Sequence, residues 1–336
     1  MSRQTGRYGL RFLILAALFL ALLLASAMLG RYRLSPAELA ALLGLSDAPV
    51  RSGAYNVLFQ IRLPRIAAAV LIGAALSAAG AAYQGMFRNP MVSPDILGAS
   101  TAAGFGAALG ILLGADYFGI SLTAFVFGLG AVLLSYLVSR FARANETLSL
   151  ILAGMVVSSL FSAGTSFVKL VADTQEQLPA ITYWLMGSLA AVKQRDVLFL
   201  LAPFALGLLP LLLLRWRMNL LTLGEDEAKA LGVNTTALRL VVIVCATLLT
   251  AASVAVCGMI GWVGLIVPHL CRMLFGSDYR RLLPASALFG AAFLLLVDDI
   301  ARLATAGEIP IGILTAFVGA PMFLWLILTG GGRRAD

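Results

Sequence analysis

The chain has 336 residues, of which 61% are hydrophobic and only 12% are charged. Its mean hydropathy is +0.97. A soluble domain carries far more charge, so this composition excludes one and predicts an integral membrane protein. The formal net charge of +8 comes from basic residues scattered among loops. That distribution fits membrane topology and lipid headgroups better than it fits nucleic acid.

Long apolar runs predict transmembrane helices, because about 20 apolar residues are needed to cross the hydrocarbon as a helix. A β-barrel would instead show short alternating segments. The first run, at about 12–29, is too long for a typical signal-peptide core, so we expect it to be a retained first helix. A polar connection at 31–61 follows it. Further apolar runs lie at about 66–84, 96–114, 118–139, 148–171 and 197–214.

The apolar stretch at about 238–275 is too long for a single span. At 1.5 Å per residue it would extend ~57 Å, close to twice the hydrocarbon thickness. It must therefore fold back. The glycines Gly258, Gly261 and Gly264 are the expected place, which leaves a short eighth span ending near Pro268.

Two more runs, at about 283–303 and 310–329, complete the set. The sequence thus predicts an all-α integral membrane protein of about ten transmembrane helices, forming one domain over residues 1–336. With the N terminus inside, fifteen Lys and Arg residues lie in inside segments and nine lie outside. This bias predicts that both termini are cytoplasmic. The margin is modest because the first outer loop is itself basic.

One short polar element, LGEDEAKALGV at 223–233, lies in a loop predicted to face the cytoplasm. Acids in the first turn, helix-forming Ala228–Leu231 and then Gly232 predict one short helix with a glycine stop. Its three consecutive acids, Glu225, Asp226 and Glu227, belong to a chain with only 16 acids. Two interpretations remain open from these residues: a solvated connector, or a projection that inserts into a partner protein.

Basic residues mark the outer ends of two predicted spans. Arg62 and Arg65 stand at the entry of the second span, and Arg302 stands near the end of the ninth, just after Asp298 and Asp299. Interfacial snorkelling and an intrahelical ion pair are one interpretation. The other is a basic ring that receives carboxylates of a soluble protein, since guanidinium groups bind carboxylates bidentately. These residues alone do not separate the two.

The fifth span carries small residues at every fourth position of one face, namely Gly154, Ser158, Ser162 and Ser166. Close helix packing is the first interpretation of such a stripe. A row of hydroxyl groups along a polar passage is the second.

Signals for metal binding or catalysis are weak. Cys245, Cys257 and Cys271 lie in or beside apolar runs without paired spacing, so we expect neither a disulfide framework nor a metal site. His269 is the sole histidine and lacks suitably spaced ligands, which indicates a structural role. The sequence has no G-x-x-x-x-G-K-[ST] loop, no H-E-x-x-H motif and no serine nucleophile with a histidine base. We therefore expect no ATP site and no enzymatic chemistry in this chain.

Taken together, several segments resemble the permease subunits of the FecCD-type, or type II, ABC importers for ferric siderophores, haem and cobalamin. They are residues 61–100, YWLMGSL at 183–189, LGEDEAKALGV at 223–233, GMIGWVGLIVPHLCR at 258–272 and IPIGILTAFVGAPMFLWLIL at 309–328. The similarity extends from about residue 35 to the C terminus, and the ten predicted spans agree with the family's ten.

The resemblance implies an assembly in which this chain works as a dimer, expected to be a homodimer. Two ATP-binding subunits would bind below it, carrying ATP and Mg, and a periplasmic substrate-binding protein would deliver the ligand from above. No cofactor and no nucleic acid would bind this chain itself. The dimer would span the lipid bilayer of the cell inner membrane.

The same resemblance assigns roles to residues. Residues 223–233 would be the coupling helix, with Glu225, Asp226, Glu227, Ala228 and Gly232 seated on the ATPase. Arg62, Arg65 and Arg302 match family positions that meet acidic residues of the binding protein. The fifth and tenth spans would line the passage, which gives the pathway candidates Ser158, Ser159, Ser162, Thr165 and Ser166. Family members have one Asp where this chain has Asp298 and Asp299, so Asp299 receives no role.

The function implied is import of a ferric-siderophore complex by alternating access, driven by ATP on the partner subunits. PMVSPDILGAS and QLPAITYWLMGSL resemble siderophore permeases most, with haem or cobalamin as alternative ligands. A rival is an ion-coupled secondary transporter that uses Asp298 and Asp299 as intramembrane carboxylates. It would leave the acidic inner helix and the basic outer ring unexplained.

Overall fold

A computed structural model describes residues 2–142, 146–223, 225–305 and 307–328, and within these ranges all regular structure is helical. A six-residue π-helical turn, Val57–Arg62, leads directly into the fourth helix. The helices are α1 (Ser2–Met28), α2 (Pro36–Leu42), α3 (Ala54–Asn56), α4 (Leu63–Met86), α5 (Ala99–Leu112), α6 (Tyr117–Phe141), α7 (Glu146–Val171), α8 (Gln177–Met186), α9 (Gln194–Leu223), α10 (Glu225–Ala230), α11 (Thr235–Cys257), α12 (Val263–Phe275), α13 (Tyr279–Leu303) and α14 (Ile311–Leu328).

Seven helices of the described chain are long and apolar enough to cross a membrane, and α5, α12 and α14 supply three shorter apolar segments. They lie where the ten spans were predicted, so the all-α, multi-span class is confirmed. We call the ends of α4 and α13 near Arg65 and Asp298 the outer ends, and the opposite ends the inner ends. These names follow the orientation predicted from the Lys and Arg counts.

Helix α4 is the centre of the bundle and packs against α9, α11, α12 and α13. Its sequence is rich in alanine, which favours helix and keeps the surface small. A Cβ on Gly73 would overlap the carbonyl of Gly290 on α13, and one on Gly80 would overlap the carbonyl of Gly264 on α12. The two neighbouring helices therefore touch α4 backbone to backbone.

The long apolar stretch folds back where it was predicted to do so. Helix α11 ends at Cys257, Gly258 has a φ of +73°, and α12 begins at Val263. The expected end near Pro268 is wrong, because α12 continues through Pro268 to Phe275. A proline inside a helix leaves the carbonyl four residues earlier without its N–H donor. Here Gln84 of α4 donates to that carbonyl, on Gly264, at 3.4 Å and to Leu265 at 3.3 Å.

Two connections hold more structure than the sequence indicated. Residues 31–61, expected to be a polar connection, contain α2, α3 and the π-helical turn. Helix α2 starts with a capping box: Ser35 Oγ accepts from Glu38 N at 3.1 Å, and Glu38 accepts from Ser35 N at 2.9 Å. Helix α8 was not predicted, because its ten residues are too few for a span.

Candidate functional site

The short inner helix forms as predicted. Helix α10 covers Glu225–Ala230, and Gly232 follows it with a φ of +77°, the left-handed conformation of a glycine stop. Val233 N donates to Ala228 O at 3.1 Å and closes the turn. Asn234 then starts α11 by accepting from Ala237 N at 2.9 Å.

Helix α10 is attached on one side and open on the other. Ala228 is fully buried against the bundle, where α10 packs on α9 and α11. Glu227 is exposed, and Leu231 is 61% exposed. The side chains of Glu225 and Asp226 lie outside the described part of the structure. Among the described residues, Glu227 and Ala230 of this helix and Leu231 directly after it are thus open to the inner solvent.

The outer arginines lie in a group that we call the outer ionic cluster: Arg62, Arg65, Asp298, Asp299, Arg302 and Glu308. Arg65 of α4 donates from Nε and Nη2 to Asp298 of α13 at 2.9–3.0 Å. Its Nη1 donates to Glu308, on the connection before α14, at 2.8 and 3.0 Å. One guanidinium therefore joins α4, α13 and the start of α14.

The second arginine of the cluster binds the adjacent carboxylate. Arg302 Nε donates to Asp299 Oδ1 at 3.1 Å, and its Nη2 donates to the carbonyl of Ser26 at 2.7 Å. The Ser26 hydroxyl accepts from Arg302 at 2.9 Å and donates to Asp299 at 2.8 Å. Asp299, to which the sequence assigned no role, thus pairs with Arg302 and ties α13 to the end of α1.

The third arginine caps the first helix. Arg62 Nη1 donates to the carbonyls of Ala27 at 2.7 Å and Met28 at 3.1 Å, and Nη2 donates to Tyr32 O. The last carbonyls of a helix have no partner within it, and Arg62 supplies donors to two of them at the end of α1.

All three arginines are buried, with 4% exposure for Arg62, 8% for Arg65 and 9% for Arg302. An intrahelical pair between Arg302 and Asp299, one of the two interpretations left open, is present. The structure thus brings the three predicted docking residues together but uses their donors inside the chain. Their role in docking a soluble protein stays a prediction.

The pathway candidates on α7 divide between two faces. Ser159, Ser162 and Ser166 are exposed, whereas Ser158 and Thr165 are partly buried. The hydroxyls of Ser159, Thr165 and Ser166 each donate to the carbonyl four residues earlier, at 2.9–3.0 Å. Their donors are therefore satisfied in an apolar environment, and their oxygens are left to accept.

The part of α7 around Gly154 and Ser158 packs closely against the chain before α5. A Cβ on Gly154 would overlap the carbonyl of Ile96, and one on Gly98 would come within 2.8 Å of Ser158 Oγ. The small residues of the fifth span thus serve packing at Gly154 and Ser158 and leave three hydroxyls on the exposed face.

A groove-like cavity of about 930 Å³ runs beside α14. Its walls are mainly apolar and include Met186, Met259, Trp262 and Phe317, together with the partly buried carboxylate of Asp95. That carboxylate accepts from Ser100 N at 2.6 Å and from the Thr101 hydroxyl at 3.1 Å, so it holds the start of α5.

The non-helical residues between α11 and α12 also line this groove. Irregular backbone at membrane depth is tolerated where it borders protein or a cavity, as it does here. Trp262 has a φ of +71°, and its ring lies against Gly319 of α14 with its centroid 6.1 Å from that of Phe323. Apart from its place in GMIGWVGLIVPHLCR, this tryptophan had no signal in the sequence.

No group of three or more His, Cys, Asp or Glu residues able to hold a metal ion is found in the part of the chain that the structure describes. Cys245, Cys257 and Cys271 are free and buried.

The model of the FecCD transport family matches residues 18–329. The chain belongs to the FecCD transport family. Among curated relatives, the permease protein MolB of a molybdate import system in Haemophilus influenzae is 45% identical over 313 residues, covering 91% of this chain and 92% of MolB. A Helicobacter pylori protein named as a probable iron chelatin transport system permease is 41% identical and covers 82% of this chain and 83% of its own.

Two further matches cover almost the whole chain. The vitamin B12 import permease BtuC of Escherichia coli is 38% identical over 98% of this chain and 99% of its own. A solved ABC transporter, described as of the metal-chelate type and inward-facing, has a TM-score of 0.86 at 43% identity, covering 94% of this chain and 97% of that one. The FecCD protein is thus an ABC transporter permease with several membrane spans.

The names of these relatives include molybdate, an iron chelate and vitamin B12. Membership of the FecCD family therefore establishes the class of machine but leaves the cargo open. Sequence reasoning also missed Glu308, a member of the outer ionic cluster, and Ser26, which is hydrogen-bonded to Asp299 and Arg302 of that cluster. Glu308 directly precedes the IPIGIL segment, and its position two residues before Pro310 was the available signal.

Proposed function

We propose that the chain is the membrane-spanning subunit of an ATP-driven importer that carries a ferric-siderophore complex from a periplasmic binding protein into the cytoplasm. Two copies of the chain form the channel in the cell inner membrane, with both termini cytoplasmic and residues 1–336 acting as one permease domain. Two separate ATP-binding subunits hold ATP and Mg, and this chain binds no cofactor. The observation that supports this most is helix α10, exposed on the inner face of a FecCD permease.

Helix α10 is suited to transmit force because it is short and closely tied to the bundle. A single residue separates it from α9, and the capped turn at Val233–Asn234 leads straight into α11. Ala228 fixes it to the bundle, while Glu227 faces solvent. When the ATPase subunits close, displacement of α10 moves α9 and α11 with it. The coupling residues are Glu225, Asp226, Glu227, Ala228 and Gly232.

The passage runs along α7 and α14 between the two copies. The pathway candidates Ser158, Ser159, Ser162, Thr165 and Ser166 carry no charge, and three of them already donate to their own helix. A surface of this kind makes weak contacts with a passing solute. Weak contacts suit release on either side, and they leave selectivity to the binding protein.

Docking of the binding protein uses Arg62, Arg65 and Arg302 at the outer ends. Because these side chains are buried and paired, an incoming acidic side chain meets a site whose donors are already in use. Docking must therefore exchange partners within the outer ionic cluster.

Molybdate is the second candidate cargo, since the 45% identical relative is named as a molybdate import permease. Iron chelates are supported by the 41% identical relative and by the metal-chelate type transporter with a TM-score of 0.86. Haem and cobalamin remain alternatives within the same machinery.

Uptake by proteoliposomes tests both the importer mechanism and the identity of the cargo. The liposomes contain the permease and its ATPase subunits, enclose ATP and receive the binding protein outside. We expect ATP-dependent uptake of iron-55 presented as a siderophore complex and no competition by molybdate. ATP-dependent uptake of molybdate instead would show that the cargo is molybdate and would leave the importer mechanism supported. Cargo uptake that needs neither ATP nor the ATPase subunits would overturn the importer itself.

A further inference from the structure

Arg65 binds two carboxylates that differ in how they are held. Asp298 lies on α13, binds through Nε and Nη2, and has a side chain that is 1% exposed. Glu308 lies on the connection between α13 and α14 and binds only through Nη1. Its side chain is 29% exposed. Asp298 thus holds Arg65 from inside the bundle, and Glu308 covers it on the outer side.

The outer end of α14 has few polar ties to the rest of the chain. Ile309 N donates to Ala301 O at 3.3 Å, and Ile311 N donates to Gly187 O at 2.9 Å. Beyond this end, α14 leaves Phe317 74% exposed and Val318 46% exposed. The Arg65–Glu308 pair is the described ion pair that joins the start of α14 to the central helix α4. It therefore fixes the outer end of α14 relative to the bundle.

Exchange of one carboxylate for another at Arg65 avoids the cost of an unpaired buried charge. Stripping a buried guanidinium of its partner is strongly unfavourable, whereas replacing that partner with a second carboxylate keeps the charge paired. Asp298 stays bound to Nε and Nη2 during such an exchange. Burial closes the Asp298 position to an outside group, so the position open to exchange is the one that Glu308 occupies.

We propose that Glu308 is an internal latch on Arg65, and that a carboxylate of an acidic protein docked on the outer face displaces it and frees the start of α14. This inference rests on the proposed function, because the docked partner is the importer's periplasmic binding protein. Glu308 is a positioning residue: it acts through Arg65 on a helix of the passage. Arrival of the binding protein is thereby linked to movement of α14.

The first test compares docking affinities. Glu308→Gln, Glu308→Asp and the unaltered chain are each assembled with the ATPase subunits in nanodiscs and titrated with the purified, cargo-free binding protein. Loss of the internal competitor in Glu308→Gln is expected to tighten docking by about tenfold, the worth of one charge-assisted hydrogen bond. Glu308→Asp keeps the charge and should stay closer to the unaltered chain. Unchanged or weaker docking in Glu308→Gln overturns the latch.

Glu38→Gln is the matched control. Glu38 is another carboxylate of the outer side, and it pairs with Arg51 of the first outer loop rather than with Arg65. Its replacement should leave docking affinity unchanged. Glu308→Gln keeps Arg65 paired with Asp298, so it is expected to fold.

The second test measures movement of the connection between α13 and α14 directly. The native cysteines are buried, so spin labels on Ser52→Cys and Gly307→Cys are selective. Both sites are exposed, and a Cβ at Gly307 meets nothing within 4 Å. Adding the binding protein should shift the distance between the labels. Glu308→Gln should show the shifted distance without the binding protein, and an unshifted distance in that variant contradicts the latch.

Failure of the latch and failure of the proposed function give different results. If the unaltered complex shows ATP-driven uptake while Glu308→Gln leaves both docking and label distance unchanged, the latch is wrong and the importer stands. If the unaltered complex neither binds the binding protein nor hydrolyses ATP for uptake, the proposed function fails.

Discussion

The outer ionic cluster and helix α10 are charged regions at opposite ends of the bundle, and they use charge in opposite ways. In the cluster, Arg62, Arg65 and Arg302 are at most 9% exposed and bind carboxylates or carbonyls of the same chain. In α10, Ala228 is buried and Glu227 faces solvent. The outer charges fix helices to one another, whereas the described acid of α10 faces solvent, where we propose that a partner binds. Replacing an outer charge should therefore affect stability, and replacing an inner charge should affect coupling.

The largest effect is expected for Asp298→Asn. This change leaves the buried Arg65 with Glu308 alone, and breaking a buried ion pair costs about 3–5 kcal/mol. Equilibrium unfolding in mixed micelles, followed by a thiol-reactive dye that reports exposure of the three buried cysteines, measures the loss. Glu38→Gln is the control at an exposed arginine. A loss below about 1 kcal/mol for Asp298→Asn, the range of surface pairs, would contradict burial of the cluster.

The next effect concerns the contact between α4 and α12. Gly80→Ala places a methyl group on the carbonyl of Gly264 and should destabilise the protein by about 1–3 kcal/mol, as overpacking does. Gly130→Ala on α6 is the matched control, because a Cβ there meets nothing within 4 Å. It should be neutral or stabilise the helix by up to about 1 kcal/mol. The same assay compares the free energies of unfolding of the two variants. Equal values would contradict the close contact between α4 and α12.

Substitutions in helix α10 should lower uptake and leave stability unchanged. Replacing Glu225, Asp226 and Glu227 together with Ala is expected to leave unfolding unchanged and to lower uptake by about tenfold, equivalent to about 1.4 kcal/mol of lost coupling. ATP hydrolysis continues because its chemistry lies on the partner subunits. Uptake and hydrolysis are measured on the same proteoliposomes. Asp47→Ala, an exposed acid of the first outer loop, is the control. Full uptake by the triple variant would remove α10 from the mechanism.

The smallest effect is a pH dependence of the first outer loop. Arg51 donates to Glu38 at 2.8 Å, and this bond together with Ser35 N lowers the pKa of Glu38 from 4.5 to about 2. A carboxyl group whose pKa falls on folding stabilises the folded protein at pH values above its unfolded pKa. This stabilisation is lost when acid protonates the group. The contribution should be complete above pH 4.5 and vanish as the pH approaches 2. It stays small because the Arg51 side chain is 56% exposed.

Stability measured between pH 6 and pH 3 should therefore fall slightly more for the unaltered chain than for Glu38→Gln, which lacks the titrating group. Parallel curves for the two proteins would show that the Glu38–Arg51 pair adds nothing to the fold.

The features that the sequence predicted depend on local pattern or on length. The all-α, multi-span class follows from apolar runs, the break at Gly258 follows from a run twice the membrane thickness, and the end of α10 follows from Gly232. Each is confirmed because the cause lies within a few residues of the effect.

The features that the sequence did not predict depend on residues far apart in the chain. Arg65 meets Asp298 across 233 positions, so the choice between an exposed ring and a buried pair was open from the sequence. Helix α12 continues past Pro268 because Gln84, 180 positions away from Gly264, donates to the freed carbonyl. Long-range pairs of this kind decide which polar residues turn inward, and hydropathy does not contain that information.

The source of energy for transport is the most direct test of the account. The permease, reconstituted either alone or with its ATPase subunits and binding protein, is compared under an imposed proton or sodium gradient without ATP and under ATP with all gradients collapsed. We expect uptake only in the complete assembly with ATP. Uptake by the permease alone, driven by the gradient, would assign Asp298 and Asp299 to ion coupling and contradict the central role of α10.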